Sequence, residues 1–261
     1  MIGGYTVRSN LVGRTRQRRL ESGEGKLLGR PLMEAGYWFL SPITDLLMFL
    51  GATPNAVTLA SLVPGLGAGI ALGTGHFGLG ALLAITAALC DLFDGVLARR
   101  LGTTSDAGEL YDAAADRYTE FFVMAGLVVH YRGHWPLMLV ALAALLGSYM
   151  ISYSTAKAEA LGLQAPRGMM RRAERTFYIA AGATFTPVIA LALPEAWAAR
   201  IEIHDLPLLV PLALVAFLGN ISAVIRFGSI ARMARQRTEV PKPAPRSATP
   251  TSHTATRARA H

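Results

Sequence analysis

The chain has 261 residues, 52% apolar and only 16% charged, with a formal net charge of +8, a pI near 10.1 and a mean hydropathy of +0.37. Soluble domains carry roughly 25% charged residues, so this composition excludes a disordered chain and argues against an ordinary soluble enzyme. The single cysteine, Cys90, excludes an internal disulfide framework and a four-thiolate zinc site.

Charge distribution sharpens the point. No Asp, Glu, Lys or Arg occurs in the 45 residues from Leu46 to Cys90, nor in Gly133–Ala156, Thr176–Pro194 or Leu206–Ile225. A bilayer core of about 30 Å needs about 20 apolar helical residues. The fold class that follows is an all-α, polytopic membrane protein.

Residues 1–30 hold seven Lys or Arg and no apolar core, which reads as a basic cytoplasmic arm and not a secretory signal. Residues 31–50 are apolar but interrupted by Glu34, Asp45 and Ser41–Pro42, the pattern of an amphipathic helix lying in the interface. Six spans are expected at about 54–75, 77–99, 109–131, 134–160, 173–195 and 206–230, together a transmembrane domain over 51–235. The third is the most polar, with Asp112, Asp116, Arg117 and Glu120 in its first half. The tail, 236–261, has little to bury and is expected to be disordered. Twenty-two Lys and Arg side chains fall on the side of the two termini, against Arg132 and Arg200 on the other, which puts both termini in the cytoplasm and the protein in the cytoplasmic membrane. The basic balance fits loops facing anionic lipid better than it fits nucleic acid.

Gly65, Gly69 and Gly73 form a small-residue stripe on the first span that lets a neighbouring helix approach closely. Cys90 reads as a small buried hydrophobe. Trp38, Trp135 and Trp197 fit aromatic belts at the membrane interfaces. The six histidines show no metal-ligand spacing and read as interfacial or solvated, and Arg171 and Arg172 read as positive-inside anchors.

The anomaly lies at the cytoplasmic ends of the second and third spans. Asp91 and Asp94 are three residues apart, Asp112 and Asp116 four apart, so each pair shares a helix face. A short loop joins the two helices, which are expected to be antiparallel neighbours whose four carboxylates converge. Acidic groups in a span face a cavity and a partner. Arg99 and Arg117 cannot neutralise four charges, whereas hard divalent ions held by oxygen can, and a pair of such ions serves phosphoryl chemistry.

The run from Asp91 to Asp116, D-x-x-D-G-x-x-A-R-x8-G-x3-D-x3-D, resembles the signature of the CDP-alcohol phosphotransferases at every fixed position. The resemblance implies a metal-dependent transferase of phospholipid biosynthesis that moves a phosphatidyl group from CDP-diacylglycerol to a small alcohol and releases CMP. It implies two ions of Mg2+ or Mn2+ on Asp91, Asp94, Asp112 and Asp116, with Asp116 also the general base. Gly95, Ala98, Arg99, Ser105 and Gly108, with Pro54, Asn55, Ala56, Val57 and Thr58 at the start of the first span, would hold the donor nucleotide. A second segment, Ser152 to Ala160 followed by Arg171 to Arg175, resembles the inositol-phosphate-using branch of the family, the prokaryotic phosphatidylinositol-phosphate synthases. That likeness implies an acceptor site on Ser152, Lys157, Arg175 and Arg226, with inositol 1-phosphate as the acceptor. Thr155 and Lys157 depart from the lysine and arginine usual there. Glycerol 3-phosphate, myo-inositol or serine as acceptor, or CDP-choline or CDP-ethanolamine as donor to diacylglycerol, remain open within the family. A divalent-cation transporter is the rival from outside it. The partners expected are CDP-diacylglycerol, a soluble alcohol, the bilayer and a second copy of the chain in a homodimer, with no nucleic acid.

Overall fold

The structure, a computed structural model, describes residues 41–166, 168–192 and 201–239. The basic arm, the first half of the expected interfacial segment, Trp38, Trp197 and the tail beyond 239 lie outside the described residues. Helix α1 covers 41–49, followed by α2 (Pro54–Ala60), α3 (Leu62–Gly73), α4 (Phe77–Leu101), α5 (Asp106–His130), α6 (Trp135–Ala160), α7 (Arg172–Ala192) and α8 (Leu206–Glu239). A 3-10 turn, Tyr131–Gly133, joins α5 to α6, and a helical turn, Ile201–His204, precedes α8. The described residues contain no strand.

Local chemistry sets the boundaries. Thr53 caps α2, its hydroxyl accepting from the Ala56 amide at 3.3 Å, and Pro54 opens the helix where its missing N–H costs nothing. Ser61 separates α2 from α3, so the first span is a helix with a one-residue break. Gly102 ends α4 in the left-handed region at φ 66°, and Ser105 caps α5 by accepting from the Gly108 amide at 3.1 Å. The last helix runs past residue 236, into the segment expected to be disordered, and ends at Glu239.

Five segments are long and apolar enough to cross a membrane: Pro54–Gly73, Phe77–Leu101, Trp135–Ala160, Arg172–Ala192 and Leu206–Arg237. Helix α5 has the length but carries Asp106, Glu109, Asp112, Asp116, Arg117 and Glu120 in its first half. Large apolar side chains such as Val63, Leu191, Phe217 and Val224 point outward, as a lipid-facing surface requires. The protein is an integral membrane protein.

The glycine stripe explains the packing. A Cβ at Gly69 would strike the backbone carbonyl of Phe122, and one at Gly126 would strike the backbone of Gly69, so α3 and α5 touch backbone to backbone. Gly80 of α4 receives Leu72 of α3, and Gly147 of α6 receives Asn220 of α8. The first span therefore sits between the second and third. Helices α4 and α5, expected as close neighbours, touch only sparingly, because α3 takes the close approach that its glycines permit. Buried Leu72, Val123, Leu127, Ile179, Leu208 and Leu212 form the core between the two ends of the bundle. Cys90 is half-buried beside Val57, Phe93 and Leu97. Helix α1 is tied to the end of α4 by an Asp45–Arg100 ion pair at 2.5 Å.

At the C-terminal end of α5 the structure corrects the reading of two histidines. His130 Nε2 lies 2.9 Å from Asp205 Oδ2, and His204 Nδ1 lies 2.5 Å from Asp205 Oδ1. Asp205 is 1% exposed and precedes α8, and Phe77 packs edge-on against His130 at 4.8 Å. The two imidazoles are partners of a buried carboxylate, with the His130 side chain largely buried and that of His204 one-third exposed. Burial pushes the Asp205 carboxyl up, but the bonds from His130 and His204 outweigh it and hold the group below the usual carboxylate range.

Candidate active site

Where α4 meets the start of α5, Asp91, Asp112 and Asp116 each direct a carboxylate oxygen to within 4.8 Å of the others. The spacing explains this: Asp112 and Asp116 stack one turn apart on α5, and Asp91 faces them from α4. Asp94 does not join the trio. Its Oδ2 accepts from the Thr58 hydroxyl at 2.5 Å, and the side chain is buried against α2. The expected convergence of four carboxylates is thus three plus one, because Thr58 supplies a hydroxyl donor that no carboxylate can.

The cation among these charges is Arg172, the first residue of α7. Its Nη1 lies 2.9 Å from Asp91 Oδ2 and 2.6 Å from Asp116 Oδ1. Arg172, expected only as a positive-inside anchor, thus reaches into the carboxylate cluster. It stands three residues before Arg175, hence on the same helix face, which is the signal that sequence could have offered. Arg117 Nη1 stands 3.8 Å from Asp116 Oδ2. Asp112 Oδ1 is buried without a hydrogen-bond partner. Three converging carboxylates, one orphaned buried oxygen and no nitrogen or sulfur donor among them make a set that fits a hard divalent ion.

The residues expected to hold the nucleotide border this cluster. Pro54, Asn55, Ala56, Val57 and Thr58 form the first turns of α2, with Val57 and Thr58 buried and Asn55 exposed. A Cβ on Gly108 would lie 3.6 Å from Asn55 Oδ1 and 3.3 Å from Ser105 Oγ, so these three residues meet. The Ser105 oxygen is occupied as the cap of α5, and its O–H remains as a donor. Arg99 is exposed and folds back over Gly95, where a Cβ would come 3.2 Å from its Nη1. Ala98 is half-buried on the same helix.

On the other flank, Arg175 is 2% exposed. Its Nε donates to Glu120 Oε1 at 2.8 Å, its Nη2 to Glu120 Oε2 at 3.0 Å and its Nη1 to the Met170 carbonyl at 2.7 Å. Arg226 is also buried; its Nη1 donates to Thr155 Oγ1 at 3.1 Å and its Nε has no partner. Ser152 is half-buried and Lys157 exposed on α6. Arg172, Glu120, Arg175, Thr119, Ala84 and Ala88 line a cleft between α4, α5 and α7, which Arg172 shares with the carboxylate cluster. Glu120 had been noted only as a polar interruption of the third span.

Comparison with known proteins agrees with this geometry. The family model for CDP-alcohol phosphatidyltransferase matches residues 51–203. A phosphatidylinositol phosphate synthase from Mycobacteroides abscessus is 35% identical over 150 residues, 56% of this chain and 68% of that protein. Its counterpart from Mycobacterium marinum is 34% identical over 160 residues, 60% of this chain and 68% of that one. Among solved structures, Mycobacterium tuberculosis phosphatidylinositol phosphate synthase in complex with manganese and citrate superposes with a TM-score of 0.63 at 28% identity, covering 73% of this chain and 88% of that one. The same enzyme with CDP-DAG bound gives 0.62 at 27% identity, covering 72% and 92%. With its signature intact, its carboxylates converged and the family model matched over more than half its length, the chain belongs to the CDP-alcohol phosphatidyltransferase family.

Proposed function

We propose that the protein transfers the phosphatidyl group of CDP-diacylglycerol to inositol 1-phosphate and releases CMP. The observation that carries this reading is the start of α7: Arg172 pairs with Asp91 and Asp116 of the carboxylate cluster, and one turn on the buried Arg175 lines the same cleft as Arg172. Carboxylates suit the donor's metal-bound diphosphate, and buried guanidinium groups suit a phosphate on the acceptor. Relatives named phosphatidylinositol phosphate synthase, and the solved relatives with manganese or CDP-DAG bound, support it.

Asp91, Asp112 and Asp116, with Asp94 through the oxygen that Thr58 leaves free, hold Mg2+ or Mn2+. When bound, the divalent ion offsets the charge that builds on the departing CMP. Asn55, Thr58, Gly95, Ala98, Arg99, Ser105 and Gly108 hold the nucleotide and diphosphate, with Gly95 and Gly108 leaving room for close approach. Asp116 takes the proton of the acceptor hydroxyl as its oxygen bonds to the phosphatidyl phosphorus and the bond from that phosphorus to the CMP oxygen breaks. Arg172, which pairs with Asp91 and Asp116, takes the place of the cation between turnovers and yields it when the divalent ion binds. Ser152, Lys157, Arg175 and Arg226 orient the acceptor. The active site and both termini face the cytoplasm, the membrane is the inner one, and the enzyme works as a homodimer.

The test is CMP release from CDP-diacylglycerol with Mg2+ and a panel of inositol 1-phosphate, glycerol 3-phosphate, myo-inositol and serine. The highest kcat/KM is expected with inositol 1-phosphate. Preference for a neutral alcohol overturns the acceptor, and no CMP with any of the four overturns the donor.

A further inference from the structure

We infer that Glu120 is a positioning residue for the transfer. Together with the Met170 carbonyl it clamps the Arg175 guanidinium in the orientation that receives the acceptor's phosphate; the inference rests on the reading of Arg175 given above. The geometry is specific. Both Glu120 oxygens meet the Nε–Nη2 edge at 2.8 and 3.0 Å, and the Met170 carbonyl meets Nη1 at 2.7 Å. Three of the five guanidinium N–H groups are thereby fixed, which leaves one on each terminal nitrogen for a phosphate. The Glu120 side chain is 10% exposed and that of Arg175 2%, so neither can leave this register for water without disrupting the packing around it.

Two further observations point the same way. Met170 sits at φ 60° though it is not glycine, a backbone conformation that persists only where its surroundings over-determine it and that gathers at functional sites. Its neighbour Met169 is strapped to α8, its carbonyl accepting from Ser222 Oγ at 2.9 Å, and Gly168 packs on Arg226. The connection before α7 is thus held so that a main-chain oxygen meets Arg175. Second, Glu120 stands one helical turn beyond Asp116 on α5. One rigid helix therefore carries both the group assigned as base and the clamp on the arginine, which fixes the distance between the acceptor hydroxyl and the acceptor phosphate. A buried pair kept only for stability has no need of this arrangement, since apolar residues of similar volume serve as well. The site also keeps more positive charge than Glu120 cancels, because Arg226 Nε is left without a partner.

The experiment is steady-state kinetics of the full-length enzyme with inositol 1-phosphate and CDP-diacylglycerol, together with Mn2+ binding and thermal unfolding, for Glu120→Gln, Glu120→Asp, Arg175→Ala and the Glu120→Gln/Arg175→Ala double variant. Glu120→Gln keeps one acceptor oxygen and loses the fork; it should raise the acceptor KM about tenfold while leaving the donor KM and Mn2+ affinity unchanged. Glu120→Asp should fall between it and the wild type, and it carries the test if the Gln variant does not fold. The double variant should be no worse than Arg175→Ala, since the clamp acts through that side chain. A lower acceptor KM in Glu120→Gln overturns the inference, because Glu120 would then compete with the phosphate. So does an unchanged KM with a lower melting temperature, or an additive double variant. An unchanged acceptor KM in Arg175→Ala overturns the Arg175 assignment itself. A raised KM there with none in the Glu120 variants overturns only the clamp.

Discussion

Toward one end of α5 three carboxylates converge and two of them, Asp91 and Asp116, share the guanidinium of Arg172; at the other end two imidazoles share the one carboxylate of Asp205. The two clusters lie about 21 Å apart, 14 residues along one helix from Asp116 to His130 at roughly 1.5 Å per residue. At the histidine end the carboxylate itself is satisfied: each Asp205 oxygen has a ring nitrogen, and the group is almost wholly removed from solvent, although the neighbouring Tyr131 hydroxyl is buried without a partner. The carboxylate end is open: charge of one sign exceeds the other and Asp112 Oδ1 has no donor. Burying a polar group without a partner costs roughly 1–3 kcal/mol, and at the carboxylate end that cost falls on a charged oxygen among like charges. What separates a structural polar cluster from a functional one here is unbalanced charge, not the mere presence of buried polar residues.

Substitutions at the two ends should have opposite signatures. Asp112→Asn should lower transferase activity on the order of 100-fold or more by weakening metal binding. It should leave the melting temperature unchanged or raised, because like-charge repulsion is relieved. Loss of activity and stability together, by enzyme assay and thermal unfolding in the same detergent, would make the open cluster structural. Asp205→Asn should do the reverse: about 1–3 kcal/mol of stability lost with kcat/KM retained. Well-folded but inactive Asp205→Asn protein would join the two ends functionally and break the contrast.

Acid should weaken the histidine end in a defined direction. The Asp205 carboxyl titrates lower in the folded protein than in the unfolded chain, so its contribution is fully present above the unfolded value and is lost as pH falls through the folded one. The stability gap between wild type and Asp205→Asn should stay constant around neutral pH and close as the pH drops below the ordinary carboxylate range. A gap that widens in acid would reverse the assignment. The smallest effect expected is for Arg172→Gln, which removes the cation between Asp91 and Asp116. Mn2+ titration of the substrate-free protein should show severalfold tighter binding, and weaker binding would mean that Arg172 organises the carboxylates instead of competing for them.

The signature from Asp91 to Asp116 and the helix limits were legible because they are local: a charge-free run, a glycine at a cap, carboxylates one turn apart. The second span, expected at 77–99, ends at Leu101, and the fourth, expected at 134–160, ends at Ala160. What was missed is long-range. Arg172 meets Asp91 across 81 residues, Arg175 meets Glu120 across 55, and His130 meets Asp205 across 75. No periodicity encodes those pairings; each joins segments far apart in the chain. The position of Asp94 apart from the other three carboxylates was hidden for a related reason. The motif supplies its carboxylate, but the hydroxyl that binds it belongs to Thr58, on another helix.

The contact between Gly69 and Gly126 has one more consequence, for permeability. An enzyme that keeps a charged, water-accessible cleft within the membrane risks becoming a path for ions. Here the backbones of α3 and α5 meet with no side chain between them, and Leu72, Val123 and Leu127 fill the adjoining layer. Water that reaches the carboxylates meets this apolar layer on the way toward Asp205. The crossing that draws the helices together also insulates one compartment from the other, and a methyl group at Gly126 would pry open packing and seal alike.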